Sequence, residues 1–398
     1  MTSPATSETT RTRTPDPLGR GPLVVGWWVA FIVPVYLAAA VAAYLGGGGV
    51  IVSIVIGLIA FAIGLGGARR EDAALYYLIA CIILAYTASS LITERASILS
   101  FRDLALVVSN VGIVLVMRRH RVHWQPVYAL FLAVFAYFFY HAILTTDPNF
   151  VLGTSSRNGI SWLMIASAAT LYVVMVKEGR PISVLPALLT LVTSVWAIGR
   201  SGIVSSAVMV TGLLLITWRR SRSTVYLIGM ASIVATLAFP TVLDRIVETV
   251  GTYFQYFGAK GLTADRRIEI FNHYTTGLNL RGLLFGVDWL SDDVMHRFNY
   301  NLHNSYLSFH ARIGAASLVF VGMAMMALIR HAVTTPLYSV LLFAVMLRAF
   351  TDTDLFFTSF DFLPYYLVTA AFTSSLAPPP SESSFPQPVL DVPRPHHT

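Results

Sequence analysis

The chain has 398 residues, of which 12% are charged and 56% hydrophobic. A soluble globular protein carries about 25% charged residues, so an ordinary soluble enzyme is excluded. The net charge of +7 follows the membrane pattern described below and does not read as nucleic-acid binding, and the single cysteine, Cys81, excludes an internal disulfide or a cysteine-based metal cluster.

A membrane helix needs about 20 apolar residues at a rise of about 1.5 Å each. Residues 1–20 are rich in Thr, Ser, Pro and Arg and read as a disordered N-terminus. Residues 21–376 then form one membrane domain with about twelve candidate spans: 23–45, 50–67, 73–92, 101–117, 125–144, 160–176, 182–199, 202–218, 224–243, 303–329, 332–350 and 355–376. The first run is too long for a signal-peptide core and is expected to be retained. The fourth contains Arg102 and Asp103. The twelfth contains Asp361 and Pro364, so its first half reads as re-entrant or interfacial. Residues 377–398 are Pro-rich and read as a disordered tail. The expected fold is an all-α polytopic membrane protein with one large helical loop, 244–302, between spans 9 and 10.

Charge sets the orientation. With the N-terminus inside, the inner side receives fifteen basic residues, among them Arg69, Arg118, Arg121, Lys177, Arg219 and Arg330. The short outer connections and span ends receive Arg95, Arg102, Arg157 and Arg200. The positive-inside rule therefore places both termini in the cytoplasm and the long loop outside. A loop of 59 residues far exceeds the usual connection. Apolar residues at helical spacing (Val242 to Phe257, then Ile268, Phe271, Tyr274 and Leu278) predict two amphipathic helices lying on the outer membrane surface. They read equally as a packed cap or as the cover of a site.

Three residues on that face carry chemistry. Arg200 lies in Gly199-Arg200-Ser201-Gly202, the whole connection between two spans. It reads as a snorkelling anchor or as an anion ligand, and its glycines favour close backbone approach. Arg266 and Arg267 lie in the loop, whose acids outnumber its bases, so an anion site there needs individual arginines. Their bland reading is pairing with Asp265 and Glu269. His303 stands where the loop re-enters the membrane, at a helix N-terminus that favours anions. Arg200, Arg267 and His303 are far apart in sequence, yet topology puts them on one face. Two guanidinium forks suit a phosphate or diphosphate, and a neutral histidine suits deprotonation of a hydroxyl. Together they are parts for displacing a phosphorylated leaving group with a hydroxyl, and arginines stabilise the leaving charge without a metal or cofactor.

At these residues the sequence resembles the O-antigen ligase and O-antigen polymerase superfamily of bacterial membrane proteins. The likeness covers roughly 190–330. It consists of the Arg200–Gly202 turn, the Arg267–Phe271 segment, a turn from Gly282 to Gly286, a His303–Leu307 start to the next span, and Gly314. Gly199, Phe271, Asp288 and Ala315 to Ser317 depart from the pattern, and none of them removes a basic group. The resemblance implies a glycosyltransferase that takes a glycan from an undecaprenyl-diphosphate carrier at the outer face of the bacterial inner membrane. The acceptor is a glycan or a lipid. Carried over, Arg200 and Arg267 hold the diphosphate, and His303 activates or orients the acceptor hydroxyl in an inverting displacement.

Arg266, Arg157, Asn304 and Arg312 are second candidates for holding substrate. Arg157 reads equally as an interfacial anchor. Arg312 lies deep in the tenth span and needs a partner, Asp361 or Asp103, or a wet cavity. Arg348 is four residues before Asp352, the spacing of a helical ion pair. Asp352-Thr353-Asp354 matches a metal pattern too short to be specific. His310 lies seven residues from His303 and reads as hydrogen-bonded to neighbours. Two other classes remain open: a twelve-span secondary transporter, and a non-enzymatic partner in polysaccharide export. The transporter reading is weakened by the short connection from Lys177 to Pro181, where such proteins carry a long one, and by the few intramembrane charges.

Overall fold

The computed structural model describes residues 28–46, 48–66, 72–93, 98–144, 146–152, 157–220, 265–298 and 300–373, without the side chains of 98, 99, 219, 220, 265 and 266. Both expected disordered ends, the span 224–243, the first half of the outer loop and the Arg266 side chain lie outside these residues. The described residues form fifteen α-helices and no strand. The first eight are α1 Val29–Tyr44, α2 Gly49–Leu65, α3 Ala73–Ile92, α4 Ile98–Arg119, α5 Trp124–Ile143, α6 Arg157–Lys177, α7 Leu185–Trp196 and α8 Arg200–Arg220. Then come α9 Asp265–Thr276, α10 Leu280–Phe285, α11 Asp293–His296, α12 Ser305–Ile313, α13 Ala316–Thr334, α14 Pro336–Ala349 and α15 Phe362–Ala370.

Six segments are long and apolar enough to cross a membrane: Ala73–Ile92, Ser100–Arg119, Trp124–Ile143, Arg157–Lys177, Arg200–Trp218 and Ala316–Thr334. α1, α2, α7 and α14 are apolar but shorter. α7 and α14 carry proline in their first turn, where the missing N–H is not needed. The outward faces are apolar as well, with Leu318, Met325, Met326 and Ile329 of α13 exposed, as lipid contact requires. α6 is the opposite case. It is buried all round and packs against α5, α7, α8 and α14, a central pillar.

Two expected spans are not continuous helices. The run 303–329 breaks at Gly314, so α12 and α13 are separate. Gly314 has φ +59°, and a Cβ there would lie 2.0 Å from the Leu284 carbonyl oxygen. The break lets the segment 284–287 clasp the bundle: the Val287 N–H donates to Ala311 O at 3.1 Å and the Ala315 N–H to Leu284 O at 3.1 Å. Gly286, at φ +82°, sits against the Ala311 carbonyl on the other side of the clasp.

The run 355–376 is likewise only partly helical. Residues 350–361 are irregular, and Leu355, Phe356, Phe357 and Phe360 are buried. Irregular backbone at membrane depth survives where protein covers and satisfies it. Here Asp361 accepts from the N–H groups of Phe356 (2.8 Å) and Thr358 (3.0 Å). Asn110 of α4 donates to Thr358 O at 2.7 Å and Leu106 O at 2.8 Å, and accepts from Phe362 N at 2.9 Å and the Tyr36 hydroxyl at 3.1 Å. The segment expected to be re-entrant or interfacial is thus buried and irregular, and α15 is only 9 residues long.

Of the loop's two expected amphipathic helices, the second is α9. Ile270 and Tyr274 are buried under the cap with Trp289, Met295 and Leu302, whereas Ile268 and Phe271 are exposed. The first lies outside the described residues.

Candidate functional site

The N-terminal ends of α6 and α8 meet at the C-terminal end of α14, and Arg348 joins them. Its guanidinium donates to Ser201 Oγ at 3.0 Å and to Asn158 O at 2.9 Å. It pairs with Asp352 at 3.4 Å and with Asp354 at 2.5 Å. Arg348 is fully buried, so breaking this set by removing one partner would cost about 3–5 kcal/mol. The expected Arg348–Asp352 pair is present, and Asp354 joins it. Two helix N-termini, each a partial positive charge, converge on the same place.

Around this anchor lie the three residues singled out by topology. Arg267 is half-buried on the first turn of α9, close enough to Arg200, Arg348 and Asp352 to feel their charges. Burial lowers its pKa most, Asp352 opposes, and Arg200 and Arg348 lower it further. Arg267 makes no hydrogen bond or ion pair among the described residues, which leaves its five donors for a ligand. Arg200 opens α8. His303 is half-buried, and its imidazole likewise makes no hydrogen bond among the described residues. Burial is the main cause holding its pKa below the ordinary 6.5, the Asp352 carboxylate opposes, and Arg267 adds to the depression. His303 is therefore neutral at pH 7, with a ring nitrogen able to accept a proton.

Asp352 links the two halves of the site. Burial pushes its carboxyl up, but Arg348 and the Thr353 N–H, donating at 3.0 Å, outweigh this and hold it below the usual range. Burial raises Asp354 above that range despite Arg348, with Asp352 adding to the rise. The pair thus favours one negative charge over two, leaving the cations in excess.

His303 is also held by strain. Its φ of +50° lies in the left-handed region, as do those of Tyr300 (+56°), Ile198 (+53°), Phe356 (+66°) and Phe357 (+65°). Non-glycine residues enter this region at a cost and cluster at functional sites. The His303 N–H donates to Asn301 Oδ1 at 2.8 Å, and the same oxygen accepts from Thr353 Oγ1 at 3.1 Å. Ser305 Oγ donates to Asp352 O at 2.6 Å and accepts from Leu355 N at 3.1 Å. His303 and Asp352 are thus tied to one another through backbone.

Several expectations change. Asn304 is the N-cap of α12: its Oδ1 accepts from Tyr306 N at 2.9 Å and Leu307 N at 3.2 Å. The N–H groups expected to face an anion at that helix start are therefore satisfied from within. Arg312 pairs with Asp103 at 3.6 Å, not with Asp361, and donates to Phe356 O at 3.2 Å. It lies over the rings of Trp289 (5.2 Å) and Phe357 (5.0 Å), holding the cap to the buried irregular segment 350–361. That environment replaces its substrate-binding reading with a structural one. Gly199 and Gly202 do approach something closely, but it is Ser161 of α6, whose Oγ lies 2.4 Å from where either Cβ would be. Arg157 opens α6 beside Asn158, at the edge of the cluster. His310 is bonded to neighbours: one ring nitrogen lies 3.1 Å from Leu283 O and so donates, and the other accepts from the Tyr274 hydroxyl at 2.8 Å. No group of three or more His, Cys, Asp or Glu is arranged to hold a metal ion among the described residues.

Fold and site together define a helical membrane protein whose polar cluster lies at one end of an apolar bundle. No family model matches the chain, and no curated protein matches it. The likeness to the ligase and polymerase superfamily therefore rests on the motif residues and their arrangement.

Proposed function

We propose that the chain is a membrane glycosyltransferase of the O-antigen ligase and polymerase type. It moves a glycan from an undecaprenyl-diphosphate carrier to a glycan or lipid acceptor at the outer face of the bacterial cytoplasmic membrane. One observation carries the reading: Arg200, Arg267 and His303, from three distant parts of the chain, share one electrostatic neighbourhood. The donors of Arg267 are unpaired among the described residues, and the imidazole of His303 is neutral. Positive-inside charge and the apolar helices support the placement.

In this reading the acceptor hydroxyl oxygen attacks the anomeric carbon as its proton passes to His303. The bond from that carbon to the diphosphate oxygen breaks on the opposite side. The electron pair leaves with the diphosphate, whose charge Arg200 and Arg267 stabilise, aided by two helix N-termini. The configuration at the anomeric carbon inverts. The test is transfer from an undecaprenyl-diphosphate glycan by the purified protein in detergent with EDTA. Wild type is expected to release carrier diphosphate and elongate or relocate the glycan. His303→Ala and Arg267→Ala are each expected to lower the rate by about 100-fold or more, the scale of a lost general base or charge-stabilising donor. Full activity in His303→Ala would remove the base assignment. No turnover of any carrier-linked donor by wild type would overturn the transferase.

A further inference from the structure

The end of the bundle opposite this cluster has its own polar construction. A cavity of about 330 Å³ opens between the C-terminal ends of α4 and α6, lined by Arg118, Arg119, Arg121, Lys177 and Glu178. α6 runs from Asn158, beside Arg348, to Lys177 at this cavity, so the two sites stand about 30 Å apart at helical rise.

We propose that this cavity binds a phosphate-bearing anion, the shared chemistry of a phospholipid headgroup and a soluble phosphate compound. Among the described residues, five cations here (Arg118, Arg119, Arg121, Lys177 and Arg180) face two carboxylates. Arg118 and Arg119 share Asp72, Arg118 at 3.5 Å. Arg121 at 3.3 Å, Arg180 at 3.8 Å and His123 at 3.4 Å share Glu178, which is itself almost fully buried. Positive-inside bias alone yields exposed, solvated bases. The Arg118 and Arg119 side chains are instead only 10% and 5% exposed. Asp72, to which both pair, offsets one of their two charges, and Thr369, Tyr76 and Gly64 O accept from their remaining donors, so one buried positive charge is left without a carboxylate of its own among the described residues.

The cavity is also built rather than incidental. Lys177 Nζ donates to His120 O at 2.7 Å and to Met117 O, fixing the turn after α4 that carries Arg121. Arg121, 71% exposed, presents a guanidinium at the end of an apolar bundle, and that fork matches the geometry of phosphate oxygens. The inference stands apart from the transferase reading, because no residue is shared between the two ends.

The experiment uses the full-length protein in detergent. One arm adds phosphatidylglycerol or phosphatidylcholine and reads retained lipid by native mass spectrometry. A second arm titrates inorganic diphosphate by calorimetry without added lipid. Both arms are run in Arg267→Ala, where diphosphate held at the transferase cluster is weakened, and repeated in that background with Arg121→Gln and Arg121→Glu, which alter a side chain 71% exposed and so spare the fold. Preferential retention of phosphatidylglycerol assigns a lipid headgroup, and saturable diphosphate binding assigns a soluble phosphate. In either case Arg121→Gln is expected to weaken binding about fivefold, the effect of one basic residue near a charged headgroup. Arg121→Glu is expected to weaken it further. Absence of binding in both arms overturns the proposal. So does binding insensitive to both Arg121 variants.

Discussion

At the scale of single residues the site is a problem of charge placed where water is scarce. His303 is kept neutral mainly by burial, and Asp352 is the group that resists this. The sign of a perturbation follows. With a folded pKa below 6.5, His303 keeps its basic form at neutral pH, so kcat/KM should be level there and fall only on acidification past that depressed value. Asp352→Asn removes the charge that favours the protonated ring, so the acid limb of the profile should move to lower pH. A limb that stays in place or moves up would separate His303 from Asp352. The sequence grouped Arg200, Arg267 and His303 on the expectation that they share one face, and in the structure Arg267 lies within electrostatic reach of both others. It did not show that Arg348, Asp352 and Asp354 complete the cluster. Their spacing read as a local helical pair, and spacing along one helix says nothing of Ser201 or Asn158 on others. The Asn304 cap was readable in principle, since an asparagine directly before a helical run is a cap signature.

At the scale of elements, the clasp between 284–287 and 311–315 decides how the described part of the long loop sits on the bundle. Gly314 has φ +59° and ψ −142°, a conformation that side chains scarcely adopt. Gly314→Ala should therefore cost about 2 kcal/mol and lower the thermal midpoint, with hydrogen exchange rising at Val287 and Ala315. Gly322→Ala is the control: its Cβ meets nothing within 4 Å on α13, and alanine there should be neutral or stabilise by about 0.5–1 kcal/mol. Equal effects at both glycines would mean that the clasp does not hold the cap. The sequence located most helices because apolar run length is set by bilayer thickness. It missed the break at Gly314, because an apolar run from 303 to 329 reads the same whether straight or bent. The irregular segment 350–361 was partly legible, through a charge and a proline that a simple span would not carry. Its clamp by Asn110 was not, since the partners lie some 250 positions away.

Over the whole molecule the burial pattern separates a pillar, α6, from an apolar surface turned outward. Met325 sits at the middle of α13 on that surface. Met325→Arg should cost about 2.5–3.5 kcal/mol of insertion free energy and lower the membrane-integrated yield. An unchanged yield would mean that this face meets protein or water instead of lipid. The strained backbone around the site has a consequence for how the protein can be improved. Residues held in the left-handed region make a fold less stable than its sequence would allow, so selection for heat resistance should drift toward them and take activity away. His303→Asn is the sharpest case. Asparagine tolerates that conformation, and the lost imidazole leaves no hydrogen bond behind among the described residues. The variant should melt later, by about 1 kcal/mol in stability, and transfer nothing. A variant that melts earlier would show the histidine to be a structural post, and the strain at 303 to serve the fold rather than the reaction.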